Sequence, residues 1–393
     1  MKRICLIAGN VLPIPAVKGG AVEELITLLL EQNELEKKAE LVIFSMADAQ
    51  AEEAAKKYKN SRIIYIPADN ILDKINNRIR RYLTKPSEPG ALLDSGYFRK
   101  IYKILCGMEF DAIVGEGGLY HEYRQFARKF GADKVYLHIH HHVEVEDAYD
   151  QIFGNIIAVS EFAKKEWIRT TKKKNIGSHV VYNCVNEEKF QKRITVQQRE
   201  LLRERLGIAK EDFVVLYCGR IQEVKGVREL LQAFSHLSTE DMKLLIIGNA
   251  DFATNTMTPF MEEVKGLVEK NQDRIKFTGY IENKDLYQYY QCADIQVIPS
   301  MWEEAAGLVA IEGMLQGLPL IVTRSGGLIE YAPEDVAMWV EREGIVENLQ
   351  SAIMRLYEDA TLRETMSEAS LKRSWDFSKS IYYNNYLGVF ERE

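Results

Sequence analysis

Two carboxylates, Glu304 and Glu312, flank a loop and the start of a predicted helix. Residues 295–298 form a short apolar run typical of a buried strand, and apolar side chains at helical spacing follow Gly307. Backbone amides at a helix start bind phosphate, whereas a carboxylate accepts the hydrogen bonds that a sugar diol donates. The stretch therefore suits a ligand with a diphosphate between two sugars, which describes a nucleotide-sugar.

Two cations, Arg220 and Lys225, follow another predicted strand, residues 213–218, in the sequence G-R-I-Q-E-V-K-G. Arginine offers a planar fork of donors and lysine a point charge, and both bind phosphate oxygens. Ligands of open α/β sheets bind where the strands end. We therefore expect these two side chains to bind a diphosphate.

The pair Glu304 and Glu312, with seven residues between them, is followed by G-L-P-L-I and by Gly326-Gly327. This pattern resembles the E-x7-E signature of the retaining family 4 glycosyltransferases, and the resemblance extends over nearly the whole chain. It implies an α/β fold of the GT-B type, in which two Rossmann-like, doubly wound parallel-sheet domains face each other across a cleft. The chain has Ala306 where the family commonly has phenylalanine and Gly313 where it commonly has alanine, and these departures bear on the shape of the donor pocket.

The resemblance also implies roles for individual residues. Arg220 and Lys225 would bind the donor phosphates, Glu304 would orient the donor sugar, and Glu312 would hold the ribose. The other donor-binding residues that it implies are Gly19, Gly20, Tyr280, Ile281, Ala306, Gly307, Leu308 and Val309. The predicted catalytic residues are His140, Glu304, Arg220 and Lys225.

Four histidines lie at or just after the end of the predicted strand 134–140, namely His138, His140, His141 and His142. Strand alternation puts His138 and His140 on one face. The resembled family places a histidine next to the donor sugar at the end of this strand. His140 is the first assignment and His141 the second, and the sequence leaves open which of the four faces the sugar.

No metal and no cofactor are predicted. The histidine cluster suggests zinc, but no matching group of ligands follows it, although Glu144 and Glu146 are near. Cationic side chains would take the place of a metal at the diphosphate, and no D-x-D lies on a candidate site strand.

The length of 393 residues predicts two domains. We place an acceptor-binding domain at 1–186 and a nucleotide-sugar-binding domain at 187–372. The resemblance implies that a final helix, within 373–393, packs back on the first domain. No apolar run is long enough to span a membrane and no signal peptide is visible, so a cytoplasmic protein is expected.

Charge is distributed unevenly along the chain. The net charge of −7 argues against a nucleic-acid partner, but residues 1–186 carry 27 basic and 24 acidic groups, a balance of +3. Within residues 71–103, basic and aromatic or aliphatic residues alternate, including Arg78, Arg80, Arg81, Lys85, Arg99, Lys100, Ile75, Ile79, Tyr82 and Leu83. Two interpretations remain: a solvated helix face with a core stripe, or a surface that docks on the anionic inner face of a membrane.

The predicted function is transfer of a hexosyl group, with retention, from a UDP-sugar or another nucleotide diphosphate sugar to a hydroxyl acceptor. The acceptor would be a carbohydrate or a lipid-linked molecule in cell-surface polysaccharide or glycoconjugate synthesis. Two alternatives stay open, a nucleotide-sugar epimerase of the GT-B type and a catalytically degenerate scaffold that binds nucleotide-sugar.

Overall fold

The computed structural model describes residues 1–83, 95–141, 145, 149–249 and 258–391, and the chain divides into two compact units. The first unit comprises Met1–Asn183 together with Lys379–Glu393, and the second comprises Cys184–Ser378. Each unit contains one parallel β-sheet with helices in its crossovers, as predicted for two doubly wound α/β domains.

The sheet of the first unit has seven parallel strands among the described residues. They are β1 Lys2–Ile7, β2 Ala39–Met46, β3 Ser61–Ile66, β4 Ala112–Gly115, β5 Val135–Ile139, β6 Asn155–Ala158 and β7 Gly177–Val180. Their order is β3-β2-β1-β4-β5-β6-β7, so the direction of winding reverses between β1 and β4. Central strands such as β1 and β4 are apolar runs buried on both faces, which is why they read as continuous hydrophobic segments in the sequence.

The helices of this unit connect the strands. They are α1 Ala21–Glu36, α2 Ala49–Ala55, α3 Ile71–Leu83, α4 Gly96–Leu105, α5 Arg124–Phe130, α6 Tyr149–Ile152 and α7 Glu161–Thr170. Two short 3-10 turns, Tyr120–Tyr123 and Ala132–Lys134, complete the connections. Ser160 caps α7 by accepting a hydrogen bond from the Ala163 amide, so the V-S sequence ends β6 and starts a helix.

The sheet of the second unit has six parallel strands among the described residues. They are β8 Phe213–Cys218, β9 Met242–Ile247, β10 Ile275–Gly279, β11 Ile295–Ile298, β12 Leu320–Thr323 and β13 Ala337–Val340. The order is β10-β9-β8-β11-β12-β13, with the reversal between β8 and β11. The strand β13 was not predicted from the sequence.

The helices of the second unit are α8 Glu187–Phe190, α9 Val196–Arg205, α10 Val227–Ser235, α11 Pro259–Glu269, α12 Leu286–Tyr290, α13 Leu308–Leu315, α14 Leu328–Tyr331, α15 Ile345–Glu358 and α16 Ala360–Ser374. The 3-10 turns Glu223–Lys225 and Trp375–Phe377 also belong to this unit. The observed α13 agrees with the helix expected after Gly307.

The last helix, α17 Lys379–Gly388, belongs to the first unit. The Tyr383 hydroxyl donates to the Asn33 Oδ1 on α1 at 2.5 Å, and both side chains are buried. The preceding residues stay with the second unit, because Arg373 donates to the Glu330 carbonyl at 2.8 Å and the Phe377 ring stacks on Tyr331 at 5.0 Å. The units therefore divide after Asn183 and Ser378, whereas the sequence placed the boundaries after 186 and 372.

Among the described residues, we find no helix with the length and apolarity that a membrane span requires.

Candidate functional site

The predicted phosphate-binding and sugar-binding residues of the second unit lie on two neighbouring strand ends. Arg220 and Lys225 follow β8, Glu304 follows β11, and these strands flank the point where winding reverses. In open α/β sheets, ligands bind at that point, outside the carboxyl ends of the strands. Residues that are far apart in sequence therefore reach one location.

Gly226 allows the two loops to touch. Its φ of 71° lies in the left-handed region, and a Cβ there would lie 1.8 Å from the Pro299 carbonyl oxygen. The Met301 amide donates to the Val224 carbonyl at 2.8 Å, which ties the loop after β11 to the loop after β8. The glycine that follows Lys225 is therefore required by close backbone approach.

Lys225 and Glu304 form an ion pair in this contact. The Lys225 Nζ donates to the Glu304 Oε1 at 2.6 Å, and their side chains are 19% and 13% exposed. The Ser300 hydroxyl donates to the same oxygen at 2.6 Å. The Lys225 Nζ also lies 4.8 Å from the centre of the Trp302 ring, a distance typical of a cation–π contact. The ammonium is thus held between a carboxylate and an aromatic face.

The backbone of Glu304 is held by the Gly-Gly loop. The Ser325 hydroxyl accepts from the Glu304 amide at 3.1 Å, and the Gly327 amide donates to the Glu304 carbonyl at 2.6 Å. The neighbouring Glu303 instead pairs with Arg342 at 2.8 Å and is half-exposed. The two adjacent glutamates therefore face different surroundings, and only Glu304 contacts Lys225 in the described structure.

Glu312 lies in α13 beside a buried tyrosine. The Tyr290 hydroxyl donates to the Glu312 Oε2 at 2.8 Å, and Tyr290 is completely buried. Burial, followed by the nearby Cys218 and Glu312, raises the pKa of Tyr290 well above its usual value. Tyr290 therefore remains a hydrogen-bond donor at any physiological pH and orients the carboxylate. Sequence analysis did not single out Tyr290.

Two glycines shape α13. A Cβ at Gly307 would lie 2.7 Å from the Leu328 Cδ1, so a larger residue before the helix would require the buried Leu328 side chain to shift. A Cβ at Gly313 would lie 1.8 Å from the Oε1 of Gln296, a buried residue of β11. The departure from the family at Gly313 is therefore explained by packing against Gln296 in the core.

The remaining predicted donor-binding residues of this unit are placed as follows. Ala306, Leu308 and Val309 surround the N-terminus of α13 and are partly exposed. Tyr280 is 46% exposed and Ile281 is partly exposed just after β10, where Gly279 has a φ of 72°. The backbone carbonyl of Arg220 accepts from the Tyr217 hydroxyl at 2.7 Å.

In the first unit, Gly19 and Gly20 end the loop that follows β1. Both have positive φ, 78° and 99°, and Gly20 directly precedes α1. A Cβ at Gly20 would lie 2.1 Å from the Glu23 Oε2 and 2.7 Å from the Leu12 Cδ1. Positive φ thus favours glycine at both positions, and close packing at the start of α1 adds to this at Gly20 only.

The histidines at the end of β5 contact a buried carboxylate that sequence analysis did not assign. The His138 Nδ1 and the His140 Nε2 each lie 2.9 Å from the Glu116 Oε2, and the Tyr386 hydroxyl donates to the Glu116 Oε1 at 2.8 Å. Glu116 follows β4, which neighbours β5, so adjacent strand ends bring the three side chains together. A Glu-Gly-Gly sequence after a strand was the only local signal for Glu116.

The electrostatics of this cluster favour an ionised carboxylate. Burial opposes the charge of Glu116, but His138 and then His140 outweigh it and lower the pKa of the carboxyl below its ordinary range. Burial, followed by His138, lowers the pKa of His140 to about 4. His140 is therefore neutral at pH 7, and it donates to Glu116 through its Nε2.

His140 is mostly buried against Glu116, whereas His141 is exposed. His142, Glu144 and Glu146 lie outside the described residues. The ligand atoms of Glu116, His138 and His140 all lie within 4.8 Å of one another, a spacing that could hold a metal ion. The carboxylate that contacts the histidines among the described residues is thus Glu116. It precedes them in the sequence, whereas Glu144 and Glu146 follow them.

The basic segment of the first unit combines ion pairs between α3 and α4 with an exposed apolar face on α3. Arg99 and Lys100 on α4 each pair with Asp73 of α3 at 2.9 Å, so neither cation is free to face lipid. Four apolar side chains of α3 are exposed instead of forming a core stripe: Ile71 76%, Leu72 70%, Ile75 50% and Ile79 50%. Arg78 is exposed beside them. Lys85 and the side chains of residues 80–83 lie outside the described part of the chain.

Comparison with known proteins places these observations in context. Residues 198–373 match the family described as glycosyl transferases group 1. The chain is 26% identical to spore coat protein SA of Bacillus subtilis (strain 168) over 408 residues, which cover 99% of both chains. It is 24% identical to the lipopolysaccharide 1,2-N-acetylglucosaminetransferase of Salmonella typhimurium (strain LT2) over 263 residues, 65% of this chain and 67% of that relative.

A solved structure of Anabaena HepE in complex with UDP and glucose resembles the whole chain. It has a TM-score of 0.74 and 17% sequence identity, with 100% of both chains covered. This likeness and the two parallel sheets confirm the predicted GT-B fold. The family match and the relatives support a glycosyltransferase.

Proposed function

We propose that this chain transfers a hexosyl group from a nucleotide diphosphate sugar to a hydroxyl acceptor, with retention at the anomeric carbon, as a member of glycosyltransferase family 4. The observation that carries the proposal is the contact between Lys225 and Glu304. It brings the lysine of the G-R-x4-K-G segment and the first glutamate of the E-x7-E segment to one place at the end of the sheet.

The diphosphate would bind at Arg220, at Lys225 and at the amides around Ala306–Val309. A bound diphosphate would carry one negative charge on each phosphate, so it would offer the two cations more negative charge than the single carboxylate of Glu304 does. As the bond from sugar to phosphate breaks, negative charge builds on the leaving diphosphate. Cations held in place before the reaction lower the barrier because they need no reorganisation at that moment.

The two glutamates would hold the sugars at either end of the diphosphate. Glu312, oriented by Tyr290, would accept hydrogen bonds from the ribose hydroxyls. Glu304 would orient the donor sugar, since it lies beside the proposed phosphate-binding lysine. Tyr280 and Ile281, on the loop after β10, would border the base, and we propose uracil because HepE was solved with UDP. In the first unit, Gly19, Gly20 and His140 are the residues that we propose for donor binding.

The test uses the purified chain with a panel of nucleotide diphosphate sugars, read by thermal stabilisation and by release of nucleotide diphosphate. A ligand at 100 times its dissociation constant adds about 2.7 kcal/mol to the free energy of unfolding, so binding is easily seen. NMR of the product then reports the anomeric configuration. Retention in the transferred or hydrolysed sugar supports the proposal, and inversion contradicts it.

The same assay separates the alternatives. Interconversion of two donor sugars without loss of nucleotide would identify an epimerase. Stabilisation by a donor without release of nucleotide diphosphate, with any acceptor offered, would identify a binding scaffold. Either result would reject the transferase proposal.

We further propose that the acceptor is carbohydrate or lipid-linked, and that the chain works in cell-surface polysaccharide or glycoconjugate synthesis at the inner face of a membrane. The support is the exposed apolar face of α3, which has Arg78 beside it. A helix with exposed aliphatic side chains and neighbouring cations suits an anionic lipid interface. The acceptor class is tested by comparing water-soluble and lipid-linked carbohydrates in the release assay.

A further inference from the structure

The buried carboxylate of Glu116 is the centre of a network that joins three elements. It is 3% exposed and accepts from His138 and His140 of the β5 end and from Tyr386 of α17. Tyr386 is 270 residues from Glu116 in the sequence, and its side chain is completely buried. A buried carboxylate with three donors is fully satisfied, and loss of any donor leaves part of its charge unpaired.

We propose that Glu116 is a positioning residue that fixes the ring orientation and the protonated nitrogen of His140 and connects both to the C-terminal helix through Tyr386. The expected effects on turnover rest on the proposed function, whereas the positions of the histidine protons do not.

The geometry determines which nitrogen carries the proton. An ionised carboxylate can only accept, so the ring nitrogens that face it, His138 Nδ1 and His140 Nε2, must both be protonated. The His140 Nδ1 then presents a lone pair. Among the described residues it is buried without a hydrogen-bond partner, so it can accept a hydrogen bond but cannot donate one.

A metal ion explains the cluster less well. Metal bound at His138 Nδ1 and His140 Nε2 would move the ring protons to His138 Nε2 and His140 Nδ1. In the part of the chain that the structure describes, both nitrogens are buried without partners, whereas metal-bound histidines nearly always donate their other N–H to an outer partner. The hydrogen-bonded network leaves only lone pairs at these positions, and an unpaired lone pair is less costly than a buried unpaired N–H.

Tyr386 links the C-terminal helix α17 to the histidines at the end of β5. The His138 and Tyr386 ring centroids are 5.7 Å apart, and the two histidine rings are 4.0 Å apart. Removal of the Tyr386 hydroxyl would free one carboxylate oxygen to rotate toward the histidines. We expect His140 to lose its fixed orientation while the donor-binding residues of the second unit are unchanged.

The experiment compares Tyr386→Phe and Glu116→Gln with Tyr383→Phe. Tyr383 is the matched control, because it removes a buried hydrogen bond from the same helix, to Asn33, without touching the histidines. The measurements are nitrogen NMR of labelled histidines at pH 7, the turnover number, and the affinity for nucleotide diphosphate. The NMR arm does not depend on activity, so it distinguishes failure of this proposal from failure of the proposed function.

We expect wild type to show protons on His138 Nδ1 and His140 Nε2. Glu116→Gln should change this pattern and lower turnover about tenfold or more, and Tyr386→Phe should lower turnover roughly fivefold, with nucleotide affinity kept. Tyr383→Phe should lower only the melting temperature. A proton on His140 Nδ1 in wild type would overturn the proposal. So would equal turnover losses in the two tyrosine variants, which indicate helix docking alone, or stoichiometric zinc in the purified chain.

Discussion

The Lys225 ammonium and the Glu304 carboxylate are 2.6 Å apart although 79 residues separate them in sequence. Each lies on a loop at the end of a different strand, and Gly226 permits the approach because its missing Cβ leaves room for the Pro299 carbonyl. Glu304 balances the charge of Lys225. A diphosphate would therefore bind to a lysine that is already positioned.

Substitution of the two cations tests the phosphate site. Arg220→Ala and Lys225→Ala should each lower turnover about tenfold or more, equivalent to about 1.4 kcal/mol of barrier. Lys225 is mostly buried, so Lys225→Ala should also lower the melting temperature by leaving Glu304 without its counter-charge. Lys210→Ala, which breaks an exposed pair with Glu200, is the control and should change neither quantity. Full activity of either variant would exclude that residue from the site.

Three isosteric variants distinguish the roles of the carboxylates. Glu312→Gln should weaken donor binding, because it removes the charge that strengthens hydrogen bonds from ribose. Glu304→Gln should lower turnover with nearly unchanged affinity for nucleotide diphosphate, since that product lacks the sugar. Glu303→Gln should be close to neutral, because Glu303 pairs with Arg342 instead. Transfer rate and nucleotide affinity are measured for all three. Equal damage from Glu303→Gln and Glu304→Gln would require a different site assignment.

The histidine assignment is tested by two single variants. His140→Ala should lower turnover more than donor affinity, because its expected position is near the reacting carbon and not near the nucleotide. His141→Ala should have the smaller effect, since His141 is exposed whereas His140 is held by Glu116. Steady-state kinetics with a saturating donor provides the measurement. A fully active His140→Ala beside an inactive His141→Ala would transfer the role to His141.

Membrane contact is tested by flotation with anionic and neutral vesicles. The chain should float with anionic vesicles at low salt, because each cation near such a surface contributes about 1 kcal/mol. Binding should fall with added salt, with Arg78→Glu and with the pair Ile75→Ser and Ile79→Ser. Ile168→Ser, at a 43% exposed position of α7, is the control. Absence of flotation at low salt would favour a soluble acceptor.

The Glu116 cluster predicts sensitivity to acid. The pKa of His140 is lowered to about 4 from 6.5, so the unfolded chain binds more protons than the folded chain between these values. The lowered pKa of Glu116 acts in the same direction below about 4.5. Stability should therefore fall as pH falls from 6.5 to 4. The melting temperature of His140→Gln should depend less on pH in this window, whereas His236→Gln, at an exposed position, should follow wild type. An identical slope in His140→Gln would contradict this origin.

Several features could be predicted because they depend on local pattern. Buried parallel strands such as β8 and β11 appear as short apolar runs, and α13 appears as helical spacing after Gly307. The order of these elements and their resemblance to a known family were sufficient for the GT-B fold. The strand β13, A-M-W-V, is as short as β11 but has one β-branched residue where β11 has three, so its strand signal is weaker.

Other features were decided only by tertiary structure, because they depend on contacts between distant segments. Glu116 precedes His138 and His140 by 22 and 24 residues and Tyr386 by 270, so no spacing rule could join them. The apolar stripe of α3 was visible in the sequence, but its direction was not. A helical period shows that two faces differ, but it does not show which one packs against the protein. In the structure Asp73 is buried in ion pairs with Arg99 and Lys100, whereas Ile75 and Ile79 are exposed.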